Sequence, residues 1–195
     1  MKLSEQMLPT LLAQDLRQYF QPMVECYQQR LFIFALRLTG NAQEAEDIVQ
    51  EAFVHAYLSL KKYPAWRVQT LKLQPWLYKI TIHSFDHHVR GARLQVVSSG
   101  LFEDSSVIEM EERTEEQPEI IFETQEQQAE LEALVAQLPE RYRLVITCYY
   151  FEQLSYREIA ELLDLSLAAV KVNLHRGVKQ LRMFLQAQTL VRDKA

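Results

Sequence analysis

The residues of this chain best placed to do chemistry are cations interleaved with aromatic rings, between residues 61 and 93. Cations that follow a phosphate backbone, together with ring faces on which bases stack, are what a single nucleic-acid strand needs for binding. Asp86 is the one acidic residue of the stretch. We therefore predict contact with a separated strand. The basic residues are Lys61, Lys62, Arg67, Lys72, Lys79, Arg90 and Arg93, and the rings include Tyr63, Trp66, Trp76, Tyr78 and Phe85.

A second set of cations falls on a predicted helix near the C-terminus. Residues 155–185 read as two helices, the first from about Tyr156 to Leu163, joined by a turn at 164–166 in which Ser166 caps the second helix. This is the helix-turn-helix pattern, whose second helix enters the major groove of DNA; an ordinary helical hairpin is the alternative. The apolar stripe of the second helix is Val170, Leu174, Val178, Leu181 and Leu185. The opposite side of that helix is basic and carries Lys171, Arg176, Lys179 and Arg182.

The histidines and cysteines make a weaker case for catalysis. His83 and His87 are four residues apart, but a catalytic zinc site needs a third ligand, and no H-E-x-x-H pattern occurs. Cys26 and Cys148 lie in apolar stretches without metal-ligand spacing, which indicates buried thiols in a reducing compartment. We expect no metal, no cofactor and no enzymatic activity. A metal hydrolase is the enzymatic alternative, although paired catalytic carboxylates and a glycine-rich phosphate loop are missing.

The elements that must position these residues are predicted to be helices throughout. The chain of 195 residues has four glycines and six prolines, and no strand-like alternation stands out. No apolar run approaches the length of a membrane span, and the N-terminus has no long apolar core. We therefore expect a soluble, cytoplasmic, all-α protein without membrane insertion.

The charges divide the chain into three parts. Residues 101–132 hold 12 of the 26 acidic residues and only one basic residue, Arg113, whereas residues 1–100 and 133–195 each carry a net charge of +3. Two basic blocks around an acidic connector suit two nucleic-acid contacts on one flexible chain. We predict two small helical domains, 1–93 and 129–190, joined by a flexible acidic linker at 94–128, with the helix-turn-helix in the second domain.

Helical periodicity places the remaining elements. We expect a short helix around 9–20, a helix from Pro22 to Thr39 closed by Gly40, and a third helix capped by Asn41 with Glu44 in a capping-box-like position. In the second domain we expect helices at 126–137 and 140–151. Trp76 and Leu77 are predicted to pack in the core rather than to touch DNA. The buried stripe of the third helix is Ile48, Val49, Ala52, Phe53, Ala56, Tyr57 and Leu60.

Two segments of the chain carry a resemblance to a known family. The C-terminal segment, through LPERYR, YREIAELL and AVKVNLHRG, resembles the DNA-binding region of bacterial sigma-70-type factors, and most closely the short extracytoplasmic function (ECF) group. Near the N-terminus, LFIFALRLTGNAQEAEDIVQEAFVHAYLSL resembles the polymerase-binding part of the same family, with DIVQEAF as its most specific piece. PWLYKI, followed by Asp86 and Arg90, resembles the part that melts the promoter.

The resemblance implies three sets of contact residues. The first domain would dock on the clamp of core RNA polymerase and would capture bases of the downstream (−10) promoter element, and the second domain would read the upstream (−35) element. The polymerase set is Asp47, Ile48, Val49, Gln50, Glu51 and Phe53. The downstream set is Lys72, Tyr78, Lys79, His83, His87, Arg90 and Arg93. The upstream set is Ser166, Ala168, Ala169, Lys171, Val172, Asn173 and Arg176.

The chain departs from the family pattern at both DNA-reading helices. Ile82 and His83 stand where Arg and Asn are common, close to the pocket for a flipped-out base, so we expect altered promoter selectivity. Ala169, Val172 and Asn173 replace common polar or basic residues, which predicts a shallower salt dependence or a different recognised sequence. Asp164 replaces a frequent turn glycine, and aspartate tolerates the left-handed conformation at some cost.

The resemblance implies an ECF-type sigma factor whose partners are core RNA polymerase, promoter DNA and an anti-sigma factor that holds both domains until a signal frees them. The alternative is a helix-turn-helix regulator that acts without polymerase. Such a regulator would explain residues 130–185 and would leave DIVQEAF and the basic, aromatic stretch without a role.

Overall fold

The computed structural model describes residues 5–92 and 125–192, with side chains described over 5–88 and 131–187. All secondary structure in these ranges is helical, which confirms the all-α prediction. The chain divides into two compact units, with the boundary after Gln95. The predicted linker at 94–128 lies mostly outside the described residues, so its exact bounds stay a prediction.

The first unit contains a 3-10 turn and five helices. The turn Glu5–Met7 leads into α1 (Leu8–Gln14), α2 (Leu16–Thr39), α3 (Ala42–Lys62), α4 (Ala65–Gln69) and α5 (Leu73–Ala92). Helices α2, α3 and α5 pack together around a core that includes Met23, Phe34, Ile48 and Leu77. Helix α1 packs against both α2 and α4.

Local signals explain most helix ends in the first unit. The Asp15 side chain accepts a hydrogen bond from the Gln18 amide at 3.0 Å, so α2 begins at Leu16 and Pro22 lies inside it. The predicted start at Pro22 was therefore six residues late, and the predicted helix at 9–20 is divided at Asp15. Gly40 ends α2 with φ 71°, and the Asn41 side chain accepts from the Gln43 and Glu44 amides to begin α3, both as predicted.

The second unit contains four helices and a π-helical segment. Helix α6 spans Gln125–Ala136, and α7 (Glu140–Ile146) continues into the π-helical segment Thr147–Phe151. Helices α8 (Tyr156–Leu163) and α9 (Leu167–Arg192) follow. The predicted helices at 126–137, 140–151 and 156–163 are confirmed to within one residue at each end, except that the second changes to π geometry.

The long helix α9 packs on α7 through a glycine that the sequence analysis did not use. A Cβ added at Gly177 would lie 2.6 Å from Ile146 Cδ1 and 3.2 Å from Tyr142 Cβ, so a larger residue there would force the Ile146 side chain, and to a lesser extent Tyr142, to shift. The predicted stripe is buried at Val170, Leu174 and Leu181, but Leu185 is 44% exposed. That part of the prediction was wrong, because α9 extends past the helices that cover its stripe.

Candidate nucleic-acid and protein interfaces

Helix α3 presents part of the predicted polymerase set to solvent. The side chains of Asp47 and Gln50 are exposed, and Glu51 is half-buried. Ile48, Val49 and Phe53 are buried in the first unit's core, so these three residues cannot contact a partner directly. They are removed from the contact set, because their side chains hold α3 against its neighbours instead.

Two exposed apolar residues extend the same face and were missed by the sequence analysis. Val54 is 57% exposed and Leu58 is 48% exposed. Residues three, four and seven positions apart on a helix fall on one side, so Asp47, Gln50, Val54 and Leu58 form a continuous surface, which we call the α3 face. Val54 and Leu58 do not share the helix face of the buried residues 48, 49, 52 and 53, so their exposure could have been predicted from the sequence.

Glu51 connects α3 to α5 through two histidines. Its Oε1 atom lies 3.5 Å from His87 Nδ1 and 3.9 Å from His55 Nε2, and Ser84 Oγ lies 3.4 Å from His55 Nδ1. Glu51, assigned to polymerase, therefore adjoins His87, assigned to DNA. Because these groups face one another at the α3–α5 contact, Glu51 is less available to an outside partner than Asp47 or Gln50.

The predicted downstream-element residues are only partly available to DNA. Lys72, His83 and His87 are exposed, and Lys79 is half-buried with a partner of its own. Tyr78 is 1% exposed, and its ring packs on Phe34 with centroids 4.8 Å apart. Tyr78 is therefore removed from the set, because no face of its ring is open to a base. The side chain of Arg90 and the whole of Arg93 lie outside the described residues.

Helix α4 carries the most exposed aromatic side chain of the described residues, Trp66, at 68%. The guanidinium carbon of Arg67 lies 4.0 Å from the centroid of the Tyr63 ring, which fixes this cation beside an aromatic face. Trp76 is half-buried, with its ring 6.3 Å from that of Tyr63. Leu77 is fully buried as predicted. We call Tyr63, Trp66 and Arg67 the α4 cluster.

The second unit builds a helix-turn-helix with the predicted turn. Asp164 adopts the left-handed conformation with φ 53°, and the Ser166 hydroxyl accepts a hydrogen bond from the Ala169 amide at 3.1 Å. Ala168 and Lys171 are exposed at the start of α9, whereas Ala169, Val172, Asn173 and Arg176 are half-exposed. The turn therefore presents the first two turns of α9 to solvent. The hydroxyl of Ser166 is engaged in the cap.

Two further residues of α9 were missed. Leu167 is 47% exposed at the first position of the helix, and His175 is exposed one turn after Lys171. An apolar side chain at this position can contact the methyl group of thymine in a major groove. Exposed leucines are common, so the sequence alone gave no reason to single out Leu167.

The nucleophilic and metal-binding groups give no alternative site in the described parts of the chain. Within those parts, no three of the histidine, cysteine, aspartate and glutamate residues lie together as metal ligands would. Burial raises the pKa of the Cys148 thiol far above its ordinary value, which makes it unreactive. Cys26 is half-buried rather than buried as predicted, and its pKa is raised by burial and by Glu5. None of the helices described is both long and apolar enough to cross a bilayer.

Each of the two units matches a known protein family. The family described as "Sigma-70 region 2" matches residues 23–95, and the family described as "Sigma-70, region 4" matches residues 128–181. The two matches lie in the two units and together leave residues 1–22, most of the acidic connector and the end of α9 unmatched.

Curated relatives match along most of the chain. The ECF RNA polymerase sigma factor SigW of Bacillus subtilis is 29% identical over 181 residues, covering 84% of this chain and 87% of the relative. The RNA polymerase sigma-H factor of Pseudomonas aeruginosa is 30% identical, with 86% of each chain covered. The ECF RNA polymerase sigma factor SigL of Mycobacterium tuberculosis is 31% identical and is covered over 82% of its length.

Solved structures share the fold. CnrH in complex with the cytosolic domain of CnrY superposes with a TM-score of 0.63 at 20% identity, covering 94% of this chain and 97% of that one. The sigma factor RpoE of Bartonella quintana, solved with the anti-sigma factor NepR, gives a TM-score of 0.60 at 19% identity, with 86% of this chain covered.

Proposed function

This chain belongs to the ECF group of sigma-70 family RNA polymerase sigma factors, and on that premise we propose which of its surfaces carry the function. It binds core RNA polymerase and directs promoter recognition at the start of transcription. The single observation that carries this conclusion is the presence of both sigma-70 regions in one chain. A helix-turn-helix regulator acting without polymerase would account for the second unit alone.

The α3 face is the surface that we assign to core polymerase. It combines exposed polar residues, Asp47 and Gln50, with the exposed apolar residues Val54 and Leu58. A protein interface needs an apolar centre and a polar rim, and this face offers both on one straight helix. Ile48, Val49 and Phe53 support the face from below.

The α4 cluster and the exposed residues near α5 are assigned to the separated strand of the downstream element. Trp66 offers an open ring on which a base can stack. Arg67 and Lys72, close to it in sequence, and His83, on α5, are exposed groups that suit a phosphate backbone. His83 replaces the asparagine common in the family, so its hydrogen bonds to a captured base would have a different geometry.

The start of α9 is assigned to the major groove of the upstream element. Lys171 and Arg176 suit phosphates or guanine edges, Asn173 suits adenine, and Ala168, Ala169 and Val172 let the helix approach closely. Ser166 contributes through its cap, which sets where the helix begins. Few of these residues are cationic, so shape and apolar contacts contribute to reading the upstream element.

The chain acts by binding, and the polymerase supplies the chemistry. We expect it to work in the cytoplasm, where core polymerase and promoter DNA are found, and to be held by an anti-sigma factor until a signal frees it. That expectation follows from family membership. Purification of the chain from its native host without any such protein would count against it.

Transcription in a purified system tests the proposal. Core bacterial RNA polymerase and the full chain are incubated with fragmented genomic DNA of the host, and the 5′ ends of the transcripts are sequenced. We expect starts that share two upstream sequence elements and that vanish without the chain. Transcripts that start without shared elements, or equally well without the chain, would overturn the assignment.

A further inference from the structure

Helix α4 cannot hold its own shape. It has five residues, and Pro64 at its N-cap supplies no side-chain hydrogen bond. Isolated helices shorter than about 12–15 residues are marginal in water, because nucleation costs more than the first few hydrogen bonds return. The position of Trp66 and Arg67 must therefore be set by packing against another element.

Helix α1 is the element that packs against α4. Among the described helices, α1 is the one with extensive contact to α4, and it also lies on α2. Leu8 and Leu12 of α1 are 1% and 3% exposed, and Val68, the buried residue of α4, is 3% exposed. The ion pair between Glu5 and Arg30, at 3.0 Å, ties the start of this N-terminal segment to α2. The contact between α1 and α4 thus lies on the inner side of α4, where Val68 is buried.

The outer side of α4 is the part that we assign to DNA. Trp66 and Arg67 are exposed, whereas Val68 points into the protein, so α1 and the DNA strand would occupy opposite sides of one short helix. Helix α1 also lies before residue 23, where the match to sigma-70 region 2 begins. The element that packs on the α4 cluster thus lies outside residues 23–95, which match sigma-70 region 2.

We propose that α1 is a positioning helix for strand capture: by packing on Val68, Leu8 and Leu12 hold Trp66 and Arg67 where the separated promoter strand passes. This inference rests on the proposed function, since it deepens the role of the α4 cluster. It assigns no DNA contact to α1 itself. Helix α1 determines how tightly the open strand is held, and polymerase binding does not depend on it.

Holoenzyme reconstituted from core polymerase and the full chain tests the proposal, with a short fluorescein-labelled single DNA strand of mixed sequence as the probe. Trp66→Ala should weaken strand binding by about tenfold, the loss of one stacked base. Leu12→Ala should weaken it by a similar factor without changing the affinity for core polymerase. Thr10→Ala, exposed on the same helix, is the matched control, and Leu12→Met should restore most of the binding.

The double variant Leu12→Ala/Trp66→Ala separates a positioning role from a general loss of stability. If Leu12 acts through the α4 cluster, the double variant loses less strand binding than the sum of the two single losses, because stacking on Trp66 can be lost only once. The proposal would be overturned if Leu12→Ala left strand binding unchanged, or if the two losses simply added in the double variant. It would also be overturned if Leu12→Ala lowered the affinity for polymerase as much as the affinity for the strand. Such outcomes, with normal transcription by the wild type, would leave the proposed function standing.

If Leu12→Ala does not fold, the fluorescence of Trp66 tests the proposal with a milder substitution. In a Trp76→Phe background Trp66 is the one tryptophan of the chain. The smaller truncation Leu12→Val should then give faster local motion of Trp66 in time-resolved fluorescence anisotropy than the parent protein does. An identical anisotropy decay in the two proteins would contradict the positioning role.

Discussion

Two short helices, α4 in the first unit and α8 in the second, position the residues that we assign to DNA, and they are stabilised in different ways. Helix α8 has a complete capping box: the Ser155 hydroxyl accepts from the Glu158 amide at 3.3 Å, and the Glu158 carboxylate accepts from the Ser155 amide at 2.9 Å. Helix α4 has no such cap and is held by α1. One helix is defined by its own sequence and the other by a distant segment.

The difference bears on how each DNA-contacting surface can vary. The turn between α8 and α9 is fixed by Asp164 and Ser166, residues adjacent to the helices that they orient. The α4 cluster instead belongs to a helix that packs on α1, far away in sequence. Changes at the N-terminus should therefore alter strand capture without altering the fold of the second unit. Three measurements can break or sharpen this contrast.

The largest expected effect concerns Tyr27, which lies in α2 beside the N-terminal segment. Burial, with a smaller contribution from the charge of Glu5, raises the pKa of Tyr27 to about 12. A tyrosine whose pKa is higher in the folded than in the unfolded chain gives stability that is complete below about pH 10 and is lost as the pH rises to 12. We expect the first unit to lose about 2 kcal/mol over that interval and Tyr27→Phe to remove the loss.

The same titration tests whether α1 is docked. Leu8→Ala loosens α1 and the Glu5 beside it, so it should lower the pKa of Tyr27, measured as the difference between tyrosinate absorbance titrations with and without Tyr27→Phe. Ile159→Ala, a truncation of a buried residue in the second unit, should leave that pKa unchanged. If Leu8→Ala left the pKa of Tyr27 unchanged, α1 would not cover the Tyr27 side chain.

The capping box of α8 provides the intermediate effect. Ser155→Ala removes the hydroxyl that satisfies the Glu158 amide and should cost the second unit about 1 kcal/mol. Hydrogen exchange should rise in the first turn of α8 and stay constant in α4, as read by mass spectrometry. Glu161→Ala, exposed in the same helix but outside the cap, is the matched control. Equal effects of the two changes would mean that packing on α9, rather than the cap, defines α8.

The smallest effect is expected at Gln153, which leads from the π-helical segment into α8 with φ 53°. The left-handed conformation costs a residue with a Cβ about 1–2 kcal/mol, and glycine avoids this cost. Glycine also has more conformational freedom in the unfolded chain, which cancels part of the stability gained. Gln153→Gly should therefore stabilise the second unit by about 0.5 kcal/mol in urea unfolding. The same change at Gln69, the last residue of α4, should destabilise the first unit instead, because glycine is a poor helix former.

The contrast between α8 and α4 also explains what could be predicted from the sequence. The bounds of α8, the turn at Asp164 and the caps at Gly40, Asn41 and Ser166 follow from signals within a few residues of each helix end, and all are confirmed. Family resemblance supplied the functional class, which the comparisons confirm.

Features set by tertiary packing were not predicted. Tyr78 was assigned to DNA because it lies among cations, but its packing on Phe34 depends on how α2 and α5 meet. The exposure of Leu185, the glycine contact at Gly177 and the π-helical segment likewise depend on neighbours that periodicity does not identify. The exposed pair Val54 and Leu58 was left out of the predicted buried stripe, but it was not assigned to the polymerase contact, because that set was taken from the family resemblance around DIVQEAF.

Binding of the purified full chain to core RNA polymerase tests the central claim most directly. We expect saturable binding that falls at least about tenfold when both apolar residues of the α3 face are made acidic in Val54→Asp/Leu58→Asp, as is typical for the loss of an interface centre. Met183→Asp, an equally exposed apolar residue in the second unit, should leave the affinity unchanged. An absence of binding by the wild-type chain, or equal affinities for all three proteins, would contradict the account.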